Sequence, residues 1–122
     1  MSKNKKPKSD QKLEHTISIA GTDVSVYSKP MTEKDGCWGY YCPEPSHYIV
    51  LEPNAENEHL WVNYLHEVFH AISDLYELNL TDEQEERCAN LVSKGYYQAL
   101  GGSLPKAPIK RRKQCKPKAE NV

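Results

Sequence analysis

The feature that most constrains this chain is one helical repeat near its middle. From about Glu58 to Leu78, residues Trp61, Leu65, Val68, Ile72 and Leu75 fall within about 40° of one line at 100° per residue. They form a core stripe. His66 and His70 fall about 140–180° from that stripe, with Glu67 and Asp74 beyond them. The polar group is therefore expected across the helix from its main buried face. A second helix is expected from Thr81, where Thr81 and Gln84 have the spacing of a capping box and Asp82 and Glu83 suit the first turn. Its apolar line is Ala89, Val92, Tyr96 and Leu100, and Gly101-Gly102 followed by Pro105 ends it. The link through Asn79-Leu80 is short, so the two helices should pack together.

The residues before these helices read as strands. Leu13–Ala20 alternates, with Leu13, His15, Ile17 and Ile19 on one side. Asp23–Ser28 alternates again after a turn at Gly21, and the two runs predict a hairpin. Cys37–Tyr41 gives a third strand, and the β-branched and aromatic run His47–Leu51 a fourth, closed by Pro53 and Asn54. The expected class is α+β: a small antiparallel sheet followed by two packed helices.

Charge divides the 122 residues into three parts. Residues 13–104 carry a net −11, whereas the two ends together carry +10. Residues 1–12 and 105–122 are too polar to offset the entropy of ordering, so a basic N-terminal arm, a domain over 13–104 and a basic C-terminal tail are expected, both ends disordered. An acidic body attracts metal cations, while basic tails suit nucleic acid or an acidic protein partner. No apolar run approaches 18 residues, so no spanning helix is expected. The lysine-rich start lacks the apolar core and small-residue cleavage site of a secretory signal. A cytoplasmic location follows as the expectation, with the four cysteines as thiols. Their spacing does not suit a second zinc site.

Chemistry enters with Leu65-His66-Glu67-Val68-Phe69-His70, which contains H-E-x-x-H. Four residues is just over one helical turn, so both imidazoles project from the same side and can share one zinc ion. Glu67 stands beside the pair, where it can take a proton from water acidified by the metal and pass it to a leaving amine. A catalytic zinc needs a third protein ligand. The pattern with a third histidine six residues on fails, because Tyr76 occupies that position. The alternative is a carboxylate from the second helix, with Asp82, Glu83, Glu85 and Glu86 as candidates. Helical position alone does not choose between Glu85 and Glu86.

The stretch LHEVFHAISDLYELNLTDEQEERCANLVSKGYYQAL resembles the small phage-type metallopeptidases related to the ImmA/IrrE and SprT-like groups. The likeness covers about residues 36–101, including Gly39-Tyr40 and Ile49-Val50-Leu51. It implies a minimal zincin fold with Glu86 as third ligand. It also implies a gluzincin pattern in which a polar residue four further on, here Asn90, supports a zinc histidine. Asp74, one turn after His70, is a second candidate for that support. The resemblance further makes His47–Leu51 the strand nearest to a substrate bound by strand addition. SprT-like proteins often carry a cysteine zinc ribbon and ImmA/IrrE members a DNA-binding partner domain; neither is visible here.

The expected function is therefore a zinc metallo-endopeptidase acting on an intracellular protein, phage-encoded by resemblance. Metal would bind at His66, His70 and Glu86, and Glu67 would be the catalytic base. The alternative is a metal-stabilised binding module whose basic tails engage nucleic acid or an acidic partner. Tyr40, Tyr41, Tyr96 and Tyr97 are oxyanion-donor candidates that the sequence does not separate, and His15, His47 and His59 read as ordinary residues.

Overall fold

A computed structural model describes residues 11–31 and 38–109. Most of both basic ends, together with Cys37 and Cys115, lies outside these residues, and so does the proposed engagement of nucleic acid or an acidic partner through the tails.

The chain runs through β1 (Lys12–Ile19), β2 (Thr22–Ser28), β3 (Gly39–Cys42), β4 (Tyr48–Leu51), α1 (Asn57–Leu75) and α2 (Asp82–Leu100), then a single 3-10 turn at Gly101–Ser103. The α+β class is as expected. The sheet, however, is mixed rather than wholly antiparallel. Its order is β1-β2-β4-β3, with β1–β2 and β3–β4 antiparallel and β2–β4 parallel. A parallel pair needs a crossover, and residues 29–47 supply it while carrying β3.

The β1–β2 hairpin turns at Ala20-Gly21, both with positive φ (52° and 79°). This is the backbone that a two-residue turn between twisted strands requires. On β1 the alternation breaks: the register shifts between Leu13 and His15, leaving Glu14 as an extra residue. That bulge turns Leu13 outward, against the expectation that it shares a face with His15. Glu14 Oε2 accepts a 2.6 Å hydrogen bond from Ser28 Oγ.

Ile19, Val24, Val26, Ile49, Leu51, Ala55, Leu60 and Ala71 make the core between the sheet and α1, with Tyr64, Val68, Ile72 and Leu75 packed against it. Ile109 joins this cluster, and Trp61 Nε1 donates to the Pro105 carbonyl at 2.9 Å. Residues 105–109, expected to open the disordered tail, therefore pack on the domain. The buried Glu52 carboxylate accepts from the backbone N–H groups of Met31 and Asn54, which ties the loops flanking the sheet.

Thr81 and Gln84 form the reciprocal capping box that the sequence predicts, with bonds of 3.1 and 3.0 Å. The end of α2 differs. Gly101 stays right-handed, and a Cβ there would lie 3.2 Å from the Tyr97 ring. The glycine permits close approach of that ring rather than a left-handed stop. The expected apolar line is also corrected. Ala89 and Ser93 are the buried residues of α2, whereas Val92, Tyr96 and Leu100 are 47, 45 and 41 % exposed. A narrow seam admits small side chains and leaves the larger ones at its rim. Among the described residues, no helix is long and apolar enough to cross a membrane.

Candidate metal centre

α1 and α2 lie side by side, and the site grows from their seam. His66 and His70, one turn apart on α1, bring their Nε2 atoms within 3.2 Å of each other. Glu86 of α2 faces both: Oε2 is 3.2 Å from His66 Nε2, and Oε1 is 3.2 Å from His70 Nε2. Ligands about 2.0–2.1 Å from a tetrahedral ion stand roughly 3.3–3.4 Å apart. The spacing of these atoms thus fits one small divalent cation, and the group His66–His70–Glu86 could hold a metal ion. All three expected ligands are brought together.

Glu85 has the other role. Its Oε2 lies 2.6 Å from His70 Nδ1, and its Oε1 accepts a 2.8 Å hydrogen bond from Ser73 Oγ. Burial alone would raise the Glu85 pKa, but the hydrogen bonds from His70 and Ser73 outweigh it and hold the carboxyl below its ordinary value. An ionised carboxylate can only accept, so His70 donates from Nδ1, and the neutral tautomer that keeps this bond is the one that presents the Nε2 lone pair to a metal. The geometry therefore separates two neighbours that helical position could not: Glu86 faces the metal position and Glu85 stands behind a ligand.

His66 is treated similarly, since the Asn90 carboxamide hydrogen-bonds its ring. Burial lowers the His66 pKa; Glu86 and Asn90 oppose this and His70 adds to it. The net result favours the neutral imidazole that a metal requires. Asp74, the rival for this supporting role, instead accepts a 2.8 Å hydrogen bond from the Tyr41 hydroxyl. His47 Nδ1 lies 3.1 Å from that hydroxyl.

Glu67 is not on an open face. It is 8 % exposed, because β3 covers this side of α1. Burial pushes its carboxyl up to about 7, with His70 opposing and Glu86 adding to the shift. Gly39 makes that covering possible: a Cβ there would meet Leu51 Cδ2 at 3.0 Å, the Val50 carbonyl at 3.1 Å and Glu67 Cγ at 3.6 Å.

An open cleft of about 550 Å³ lies over the three ligands, with Glu67, Tyr41 and Pro43 among its walls. β3 runs along it. The expectation that His47–Leu51 is the accessible strand is overturned, because β4 is paired on both sides, by β2 and β3. Among the described residues, β3 pairs with β4 alone and ends the sheet. Sequence reasoning missed the Tyr41–Asp74 pair and Asn63, although Asn63 lies three residues before His66 and hence on a neighbouring part of the same face. No protein-family model, no curated protein and no solved structure matches the chain.

Proposed function

We propose that this chain is a zinc-dependent endopeptidase of the H-E-x-x-H type. The observation that carries the reading is the convergence of His66 Nε2, His70 Nε2 and Glu86 on one point at 3.2 Å separations, with the buried Glu67 carboxyl beside them. Two imidazoles and one carboxylate are a common donor set for catalytic zinc, which keeps a coordination position open. When bound, the zinc supplies a Lewis acid that acidifies water and polarises a carbonyl oxygen.

The chain's own residues perform the remaining tasks. Glu67 takes a proton from the attacking water and returns it to the leaving amine. Glu85 with Ser73 fixes the tautomer and orientation of the His70 imidazole, and Asn90 supports that of His66. β3 is the last strand of the sheet among the described residues and lies beside the cleft, so an extended peptide can add to the sheet there with its scissile bond over the ligands. A metal that only stapled α1 to α2 would need neither the cleft nor a buried carboxyl next to its ligands.

Metal analysis combined with cleavage of an unfolded protein substrate tests this reading. The Glu67→Gln variant should retain zinc and lose about 10²–10⁴-fold in cleavage rate. Undiminished cleavage by that variant would overturn it.

A further inference from the structure

The cleft does not end at the metal ligands. α1 and α2 are antiparallel, and their contacts step along the seam: Ser73 with Glu85, His70 with Glu86, His66 with Asn90. One turn further on stand Asn63 on α1 and Lys94 on α2. A second depression of about 310 Å³ opens there and shares His66, Glu67 and Gly39 with the main cleft. A third, of about 370 Å³, continues from it along Val62, Lys94 and Tyr97. A continuous groove thus leads away from the metal position on the side opposite Tyr41 and Pro43.

Among the described residues, two of its polar groups lack partners. Asn63 Nδ2 is buried and makes no hydrogen bond. An unsatisfied buried donor is costly, and its presence in a native site calls for a partner that the protein itself does not supply. Among the described residues, Lys94 forms no ion pair, although Glu56 and Glu58 line the far end of the groove. It is one of four cations in the −11 body of residues 13–104. Trp38 forms the outer wall, its ring 4.4 Å from that of His59.

The geometry points to a specificity subsite in which Lys94 and Asn63 bind a carboxylate of the peptide substrate close to the scissile bond. This inference rests on the peptidase reading and extends it to the substrate class. Lys94 lies eight residues, about 12 Å along α2, beyond the ligand Glu86. An extended peptide advances about 3.3 Å per residue, so the recognised carboxylate sits within about four residues of the bond cleaved. Glu56 and Glu58 would repel a second acid further along the groove. The carboxylate can come from an Asp or Glu side chain or from a free C-terminus.

The test uses the full-length, zinc-loaded Glu67→Gln protein, so that peptides remain intact, with tryptophan fluorescence (Trp38 and Trp61) and calorimetry as readouts. Three pools of otherwise uncharged, N-acetylated peptides are compared: one with a fixed central Glu and an amidated end, one with Gln and an amidated end, and one with Gln and a free C-terminus. One of the two acidic pools should bind about 10-fold tighter than the neutral pool, and which one does so identifies the source of the carboxylate. Adding Lys94→Gln should abolish the difference, and Asn63→Ala should weaken the preferred pool. Equal affinities, no binding of any pool, or a preference unchanged by Lys94→Gln would each overturn the subsite. Cleavage by the Glu67-intact protein is measured in parallel. Cleavage without acid preference rejects the subsite alone, and acid preference without cleavage rejects the peptidase reading alone.

Discussion

Glu85 Oε2 lies 2.6 Å from His70 Nδ1, on the side of the ring away from the metal position. A carboxylate behind a histidine ligand fixes its tautomer and raises its basicity, and losing such a partner typically costs about 10–100-fold in metal affinity. Glu85→Gln should therefore weaken zinc binding by about that factor, measured by competition with a chromogenic chelator. Ser73→Ala should have a smaller effect in the same direction. An unaltered affinity in Glu85→Gln would show that the contact does not tune the ligand.

The three facing ligands should behave differently. His66→Ala, His70→Ala and Glu86→Gln each remove a donor rather than its support, so each loss should exceed about 100-fold. Zinc at 1,000 times its Kd should stabilise the unaltered protein by about 4 kcal/mol. Thermal unfolding with and without zinc should show that upward shift, and each of the three variants should keep at most about 1.4 kcal/mol of it at the same zinc concentration, where zinc stands at no more than about 10 times their Kd.

Glu67 gives the metal-free protein a pH signature. Its carboxyl titrates near 7 when folded, against an ordinary value of 4.5. The protonated form is thus favoured by folding. That contribution is complete below about pH 4.5 and is lost as pH rises through about 7, an effect of about 3 kcal/mol in total. In denaturant titrations of metal-free protein, Glu67→Gln should be more stable than the unaltered chain at pH 8 and nearly equal to it at pH 4.5. A pH-independent difference would remove burial as the cause of the shift.

The C-terminal return is a structural element in its own right. Ile109 sits in the core cluster, so Ile109→Ala should cost about 2–4 kcal/mol in urea unfolding. Trp61→Phe loses the hydrogen bond to the Pro105 carbonyl and should cost about 1 kcal/mol. A chain ending at Leu104 should lose at least as much as Ile109→Ala.

Much of the site was legible because it is local. H-E-x-x-H on one helix dictates that His66 and His70 converge, and the capping box at Thr81 sets where the next helix begins. What was not legible depends on relations between distant segments. Glu85 and Glu86 are adjacent on α2, and only the placement of His70 Nδ1 and Ser73 against Glu85 distinguishes them. Burial of Glu67 comes from β3, some 25 residues earlier in the chain. The edge position of β3 follows from strand order, which the alternation within a strand does not encode. Val92, Tyr96 and Leu100 show the related limit: periodicity identifies a face, but the width of the seam decides how deeply it is buried.

The parallel pairing of β2 with β4 has a consequence for how this architecture can diversify. Both strands belong to the core, whereas β3, the wall beside the metal position, rides on the connection between them. Within residues 29–47, Met31 and Gly39 are held by the core and by the covering of Glu67, but the cleft-facing Tyr40, Tyr41 and Pro43 can change, and reshape what the cleft admits, while the β2–β4 pairing stays in register. The strands that set the fold and the side chains that shape the cleft are largely different residues of the same short chain.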